Sequence, residues 1–193
     1  MSSLPPAIES KAYLRRRAWL VAGLLVVATM VAYHNSFSVP FFFDDRPAIE
    51  RNESIRHLWP LSIPLSPPIT GAGVAGRPLT NLTLAFNYAA SGLNVWSYHW
   101  LNLAIHLLGG LTLWSLLRHT LRSPFLRGRF DQSVEWAAGG AALLWLVHPL
   151  QTESVVCVVQ RNELLAGLFY LLTLHCFIRS TWQARRSWSR HPS

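Results

Sequence analysis

Read only for its hydrophobic and polar positions, the chain alternates long apolar stretches with polar segments broken by proline or studded with arginine. The first apolar stretch, about 18–37, contains no Asp, Glu, Lys or Arg. At 1.5 Å of rise per helical residue, ~20 residues cover the hydrocarbon thickness of a bilayer. A second stretch, about 93–117, is equally free of charge, and two shorter ones lie at about 134–148 and 163–178. The shorter two read as two further spans or as one re-entrant pair.

The largest polar segment, about 38–92, separates the first two stretches. Pro40, Pro47, Pro60, Pro64, Pro67, Pro68 and Pro78 break it, and Gly71, Gly73 and Gly76 mark a turn before Arg77-Pro78. Between the breaks, Ala48–Leu58 and Thr80–Ala90 predict short helices, the second uncharged and suited to the membrane interface. The pattern predicts an all-α membrane protein with about four transmembrane helices and a large first extracytoplasmic loop. Polar, basic tails are expected over 1–17 and 181–193, flanking a membrane region over 18–180. No 34-residue period repeats along the chain.

Composition supports a membrane class: of 193 residues, 51% are hydrophobic, only 13% are charged and nine are tryptophan. A net charge of +8 would point to nucleic acid if it gathered on one soluble face. It falls instead in clusters between apolar stretches, so membrane lipids are the expected partners and nucleic acid is not. Lys11, Arg15, Arg16 and Arg17 precede the first stretch; Arg118, Arg122, Arg127 and Arg129 come after the second; Arg179, Arg185, Arg186 and Arg190 come after the fourth. Those 12 of 17 basic residues share one side if the chain crosses four times, which predicts a multi-pass protein of the cell (inner) membrane with both termini cytoplasmic. The first stretch is too long for a cleaved signal and lacks a small-residue cleavage site, so it reads as an uncleaved anchor. Cys157 and Cys176 lie in apolar surroundings and, if joined by helix, stand roughly 28 Å apart. No disulfide spans that distance, and both read as buried small hydrophobes.

Candidate chemistry sits where the apolar stretches end. Phe41-Phe42-Phe43 runs into Asp44-Asp45 on the extracytoplasmic side. The two carboxylates are either a hydrated interfacial loop or a functional pair, each raising the other's pKa. His99, Asn102 and His106 fall within an arc of about 60° on one helix face. They serve interhelical hydrogen bonding or line a water-filled cavity, and a transporter component would use the second. Gly109-Gly110 and the run Ala137–Ala142 would let the second and third segments pack closely, against each other or against missing partners.

Pro149 should end the third segment and Thr152 cap the segment after it. His148 and Glu153, five residues apart, would bind a metal, orient a phosphate, or simply belong to a polar turn. Two ligands do not define a metal site, so none is predicted, and a requirement for a divalent metal stays open. Asn52 and Asn81 begin weak N-x-S/T glycosylation matches.

In chain order, Tyr33-His34-Asn35-Ser36-Phe37, Phe43-Asp44-Asp45, Arg77-Pro78-Leu79-Thr80, Tyr98–His106, His148–Val155 and Gln160–Leu165 form a recognisable set. Over about 18–180 the chain resembles the transmembrane-and-tetratricopeptide-repeat O-mannosyltransferase-like family, its bacterial members in particular, and so the N-terminal part of a C-type glycosyltransferase. The resemblance implies transfer of a sugar, mannose by analogy, from a polyprenyl-phosphate donor to a protein Ser or Thr. It implies a catalytic acidic pair at Asp44 and Asp45, one acid acting as general base toward the acceptor hydroxyl. Arg77 and Arg161, outside arginines within matched motifs, are the candidates for the donor phosphate. His148, Glu153, His99 and His106 are candidates for organising the pocket. Full-length family members carry more spans and a repeat array. A truncated product, a split protein completed by a companion chain, or a non-catalytic anchor or scaffold are therefore alternatives to a complete enzyme.

Overall fold

The computed structural model describes residues 11–69, 73–126, 128–130 and 133–188. The expected tail as far as residue 10, the turn glycine Gly71, Arg127, and the last residues including Arg190 lie outside the described residues. The described residues form six α-helices: α1 (Lys11–Tyr33), α2 (Pro78–Ser91), α3 (Val95–Leu121), α4 (Val134–Leu146), α5 (Gln151–Val156) and α6 (Arg161–Trp188). Among the described residues there is no strand.

Among the described residues three helical segments are long and apolar enough to cross a membrane: Ala12–Ser38, Val95–Leu121 and Val158–Thr181. The third expected span does not reach that length. α4 has 13 residues, about 20 Å of helix against a hydrocarbon core of about 30 Å. It stops at Leu146, three residues before Pro149, whose ring removes a backbone donor and disfavours helix at the residue before it.

α3 is the central element, packed along both α4 and α6, while α1 packs on α4. Arg118 near the end of α3 meets Glu135 at the start of α4, so these two helices run antiparallel. The pairs Asn102–Arg161 and His119–His175 set α3 and α6 parallel. Asp44 and Asp45 therefore stand at one end of the bundle and Arg118, Arg122 and Arg179 at the other.

The glycines explain how closely the helices approach. A Cβ on Gly110 would sit 2.4 Å from the Leu146 side chain, which brings α3 and α4 together as their small residues predict. A Cβ on Gly139 would instead meet Val21 at 2.5 Å, so that glycine serves α1, and Gly140 faces open space.

In the long loop the expected helix Ala48–Leu58 is broken into a π turn at Arg46–Glu50 and a 3-10 turn at Glu53–Ile55. The side chain of Asn52 accepts the Ser54 N–H at 3.0 Å, a local bond that competes with helix. The second expected helix is α2, opened by Pro78 in its first turn and closed by Gly92 at φ 61°. It buries Thr80, Asn81, Leu84, Ala85 and Asn87. Leu84 and Ala85 join a core with Phe41, Ile49, Ile55, Tyr98 and Val158.

The glycosylation matches belong to that interior. Asn52 Nδ2 donates to Ala48 O and Asn81 Oδ1, and Asn81 Nδ2 donates to Ser54 Oγ and Pro64 O, all at 2.8–2.9 Å. Both asparagines are buried, so the nitrogens a glycan would need are already committed. Both cysteines are free as expected, but only Cys157 is buried; Cys176 lies exposed on α6.

Gly110→Ala should lower stability by ~1–3 kcal/mol through overpacking against Leu146. Gly140→Ala, with space around it, should leave the melting midpoint unchanged or slightly raised. Thermal unfolding in detergent, monitored by circular dichroism, compares the two directly.

Candidate active site

The acid-bearing end is built around a backbone corner. After α1 a 3-10 turn at His34–Ser38 leads to Phe42, whose carbonyl accepts the Asp45 N–H at 2.9 Å. Phe43, at the apex, has φ 43°, a left-handed conformation that strains a residue carrying a Cβ. The neighbouring aromatic residues go opposite ways. Phe41 is buried edge-on against the Tyr98 ring at 5.2 Å, while Phe43 projects with 84% of its surface exposed.

The adjacent acids separate in the same manner. Asp44 is exposed, whereas Asp45 is wholly buried. The Asp45 carboxylate accepts the N–H groups of Val159 at 2.7 Å and Val158 at 3.2 Å, and faces Cys157 Sγ at 3.6 Å. Burial pushes its pKa up, against the lowering effect of these donors, and Asp44 is not among the causes. The Cys157 thiol is pushed up to about 12, first by burial and then by the Asp45 charge. Asp45 thus caps the 3-10 turn Val158–Gln160 that leads into α6.

Asn102 holds the same turn from the other side. Its Nδ2 points to the carbonyls of Val155, Cys157 and Val158 at 3.3–3.4 Å. Its Oδ1 accepts Arg161 Nε at 2.6 Å. The Arg161 guanidinium also donates to Asn87 Oδ1 at 2.7 Å, Thr83 Oγ1 at 3.2 Å and Tyr98 O at 3.0 Å. It has no exposed surface, and its bonded acceptors are all neutral. Thr83 and Asn87 were not singled out from the sequence; their i, i+4 spacing on an uncharged helix was the available signal.

His99 and His106 of α3 are buried, and each uses Nε2 on a backbone carbonyl at 2.9 Å: His99 on Val39, His106 on Leu146. His99 supports the segment leading to the acids, and its electrostatic neighbours are Asp45 and Arg161. His106 sits deeper, stacked on Trp145 at 5.0 Å, and shares the Leu146 carbonyl with the Tyr33 hydroxyl. The face predicted for hydrogen bonding or a cavity is thus taken up by hydrogen bonds.

The remaining candidates are exposed. Arg77 donates to Gly73 O at 2.8 Å and lies on an open groove of about 370 Å³ between α2 and α6. Leu79, Leu165 and Phe169 form the groove's apolar wall, and Asn162 and Glu163 its polar side. His148 Nδ1 accepts the Leu150 N–H at 3.2 Å, taking the place expected for a Thr152 cap; α5 has no side-chain cap. Glu153 is exposed in α5, and its carbonyl receives the Cys157 N–H at 2.9 Å. The structure therefore gathers Asp45, Asn102, Arg161 and His99 around one turn, with Asp44 and Arg77 at the surface and His106 apart. Among the described residues no three His, Cys, Asp or Glu side chains group as metal ligands.

Known proteins resemble this chain over most of its length. The chain is 32% identical over 173 residues to Protein O-mannosyl-transferase TMTC2 of Homo sapiens, covering 83% of this chain and 19% of that protein. It is 33% identical over 172 residues to Protein O-mannosyl-transferase Tmtc3 of Drosophila melanogaster, covering 81% of this chain and 19% of the relative. With TMTC3 of Mus musculus it shares 33% identity over 164 residues, 81% of this chain and 16% of the relative. No family model and no solved structure matches. Long apolar helices with a polar, acid-bearing end define a membrane-embedded helical protein. Within that class the chain belongs to the transmembrane O-mannosyltransferase-like family that these relatives represent. It spans about a fifth of the length of the curated relatives it matches.

Asn102→Ala should cost ~2–4 kcal/mol, because it leaves a buried guanidinium N–H without its acceptor and removes the amide that three carbonyls share. The test is its melting midpoint beside that of His106→Ala, where fewer groups lose a partner and the fall should be smaller.

Asp45 has a folded pKa raised above its unfolded value. Its contribution to stability is fully present below the ordinary carboxylate pKa and is lost as pH rises through the raised one. The midpoint of the native protein should therefore fall more between about pH 4 and about pH 7 than that of Asp45→Asn. Parallel pH profiles for the two proteins would contradict this coupling.

Proposed function

We propose that this chain forms the acid-bearing part of a membrane glycosyltransferase, moving a sugar from a polyprenyl-phosphate donor to a protein Ser or Thr hydroxyl. Mannose is the sugar by analogy with the relatives' names. The observation that carries the reading is the division of labour between the adjacent acids. Asp44 is free at the surface of a corner strained at Phe43, and the next residue, Asp45, is anchored in the core. Strain of that kind persists where its surroundings over-determine it, and it collects at functional sites.

In this reading Asp44 is the general base and Asp45 the residue that positions it. Asp44 takes the proton of the acceptor hydroxyl while that oxygen attacks the anomeric carbon of the sugar. The bond from that carbon to the donor's phosphate oxygen breaks, and the electron pair leaves with the lipid phosphate. Arg77, at the mouth of its groove, meets the charge that develops there. Arg161, enclosed by neutral acceptors, adds a buried positive charge near the site without touching the donor. His99 holds the Val39 carbonyl and so the base of the acidic corner, and His106 holds the end of α4. His148 and Glu153 contribute at the exposed rim between α4 and α6. The inner-membrane setting with cytoplasmic termini rests on the distribution of arginine and belongs to the same proposal.

Asp44→Asn should reduce transfer of radiolabelled sugar from lipid-linked donor to acceptor protein by ~10²–10⁴-fold, with helicity and melting unchanged. Arg77→Gln should weaken use of the donor while leaving the fold intact. Unimpaired transfer by Asp44→Asn would remove the general-base assignment and leave a non-catalytic anchor as the better reading.

A further inference from the structure

The opposite end of the bundle carries a second arrangement that the transfer reaction does not use. Arg118 and Arg122 both bind one oxygen of Glu135, at 2.8 and 2.6 Å, and Glu135 is buried at the start of α4. One carboxylate therefore serves two arginines. Beside them His119 of α3 lies 5.3 Å, ring to ring, from His175 of α6. The electrostatic neighbours of His119 are His175, Arg118, Arg122 and Arg179, all cationic or able to become so. Arg179 is exposed and has no ion-pair partner among the described residues.

A groove of about 240 Å³ leads to this collar between α3 and α6, lined by Leu108, Leu111, Thr112, Ser115, Leu172 and His175. The Thr112 hydroxyl is turned back onto Leu108 O at 2.7 Å, so it makes no demand on a ligand. His175 Nδ1 is enclosed and unpartnered at the groove's basic end. His119 comes four residues after Ser115, and Arg179 four after His175, so both stand one helical turn beyond the groove. An apolar channel one turn from an uncompensated cation fits a molecule with a hydrocarbon chain and a negative head.

We propose that this groove binds an anionic glycerophospholipid of the surrounding membrane, with an acyl chain between α3 and α6 and its phosphate against Arg179, His175 and His119. The excess positive charge selects an anionic headgroup over a zwitterionic one. The apolar channel selects a lipid over free phosphate. Burial of one chain between the helices would also tie α6 to α3 where α6 is otherwise little covered, since only 6% of its apolar window is buried.

Native mass spectrometry of the purified full chain, from micelles containing phosphatidylglycerol and phosphatidylcholine, tests this. The native protein should retain one phosphatidylglycerol in preference to phosphatidylcholine. Arg179→Gln should lower that occupancy about tenfold, the loss of one charge-assisted contact. Thr112→Phe, which fills the channel and leaves every charge in place, should lower it to a similar extent. Equal retention of both lipids, or full retention by Thr112→Phe, would overturn the proposal. So would displacement of the lipid by inorganic phosphate, which would mark a free-anion site. Circular dichroism identifies a misfolded variant, in which case the lipid comparison on the native chain and the other variant decide.

Discussion

The structure depends on satisfying the backbone where its helices break. A helix inside a bilayer pairs its own N–H and C=O groups, but a break exposes them where water is scarce. The acid-bearing end has three such breaks: after α1 near Val39, at the end of α4 near Leu146, and in the turn from Val155 to Arg161. α3 answers each with one polar side chain on a single face: His99, His106 and Asn102 respectively. The turn before α6 is the most demanding because it presents carbonyls and N–H groups together. Asn102 takes the carbonyls, and Asp45, arriving from a loop more than a hundred residues away, takes the N–H groups.

This arrangement explains why a cation can be buried at the head of a long apolar helix. Arg161 is expensive to desolvate, and its bonded partners include no carboxylate. Four hydrogen bonds from a rigid guanidinium to neutral acceptors on α2 and α3 offset that cost and bind three helices into one unit. The unit is a platform rather than a pocket. Its consequence for chemistry is that Asp44 projects from a backbone immobilised on both sides, by the strained Phe43 before it and the anchored Asp45 after it. A carboxylate held in that way loses little freedom when a reaction needs it in one orientation.

Much of the architecture was legible in the chain. Uncharged stretches marked the long helices, the break at Pro78 marked the start of α2, and the spacing of His99, Asn102 and His106 marked the working face of α3. The expectation of a fourth full span treated the apolar stretch 134–148 as membrane-crossing, although Pro149 and the length of α4 stop it short. The helix expected over Ala48–Leu58 failed because Asn52 bonds locally, a competition that propensity alone does not register. Glycosylation matches at Asn52 and Asn81 were misleading because a three-residue pattern carries no information about burial.

What the sequence by itself determined is the class of protein, its polar face and the place of its acids, because length and periodicity depend only on neighbours along the chain. Which acid faces outward was decided by tertiary structure alone. Asp44 and Asp45 are chemically identical, and nothing local distinguishes them. Only the Val158 and Val159 N–H groups, brought alongside by the packing of α6 on α3, draw one carboxylate into the core and leave the other exposed. The surroundings of Arg161 were decided in the same way: a side chain that the sequence offered as a candidate for a phosphate is bonded to Asn87, Asn102, Thr83 and Tyr98 because those partners converge from helices distant along the chain.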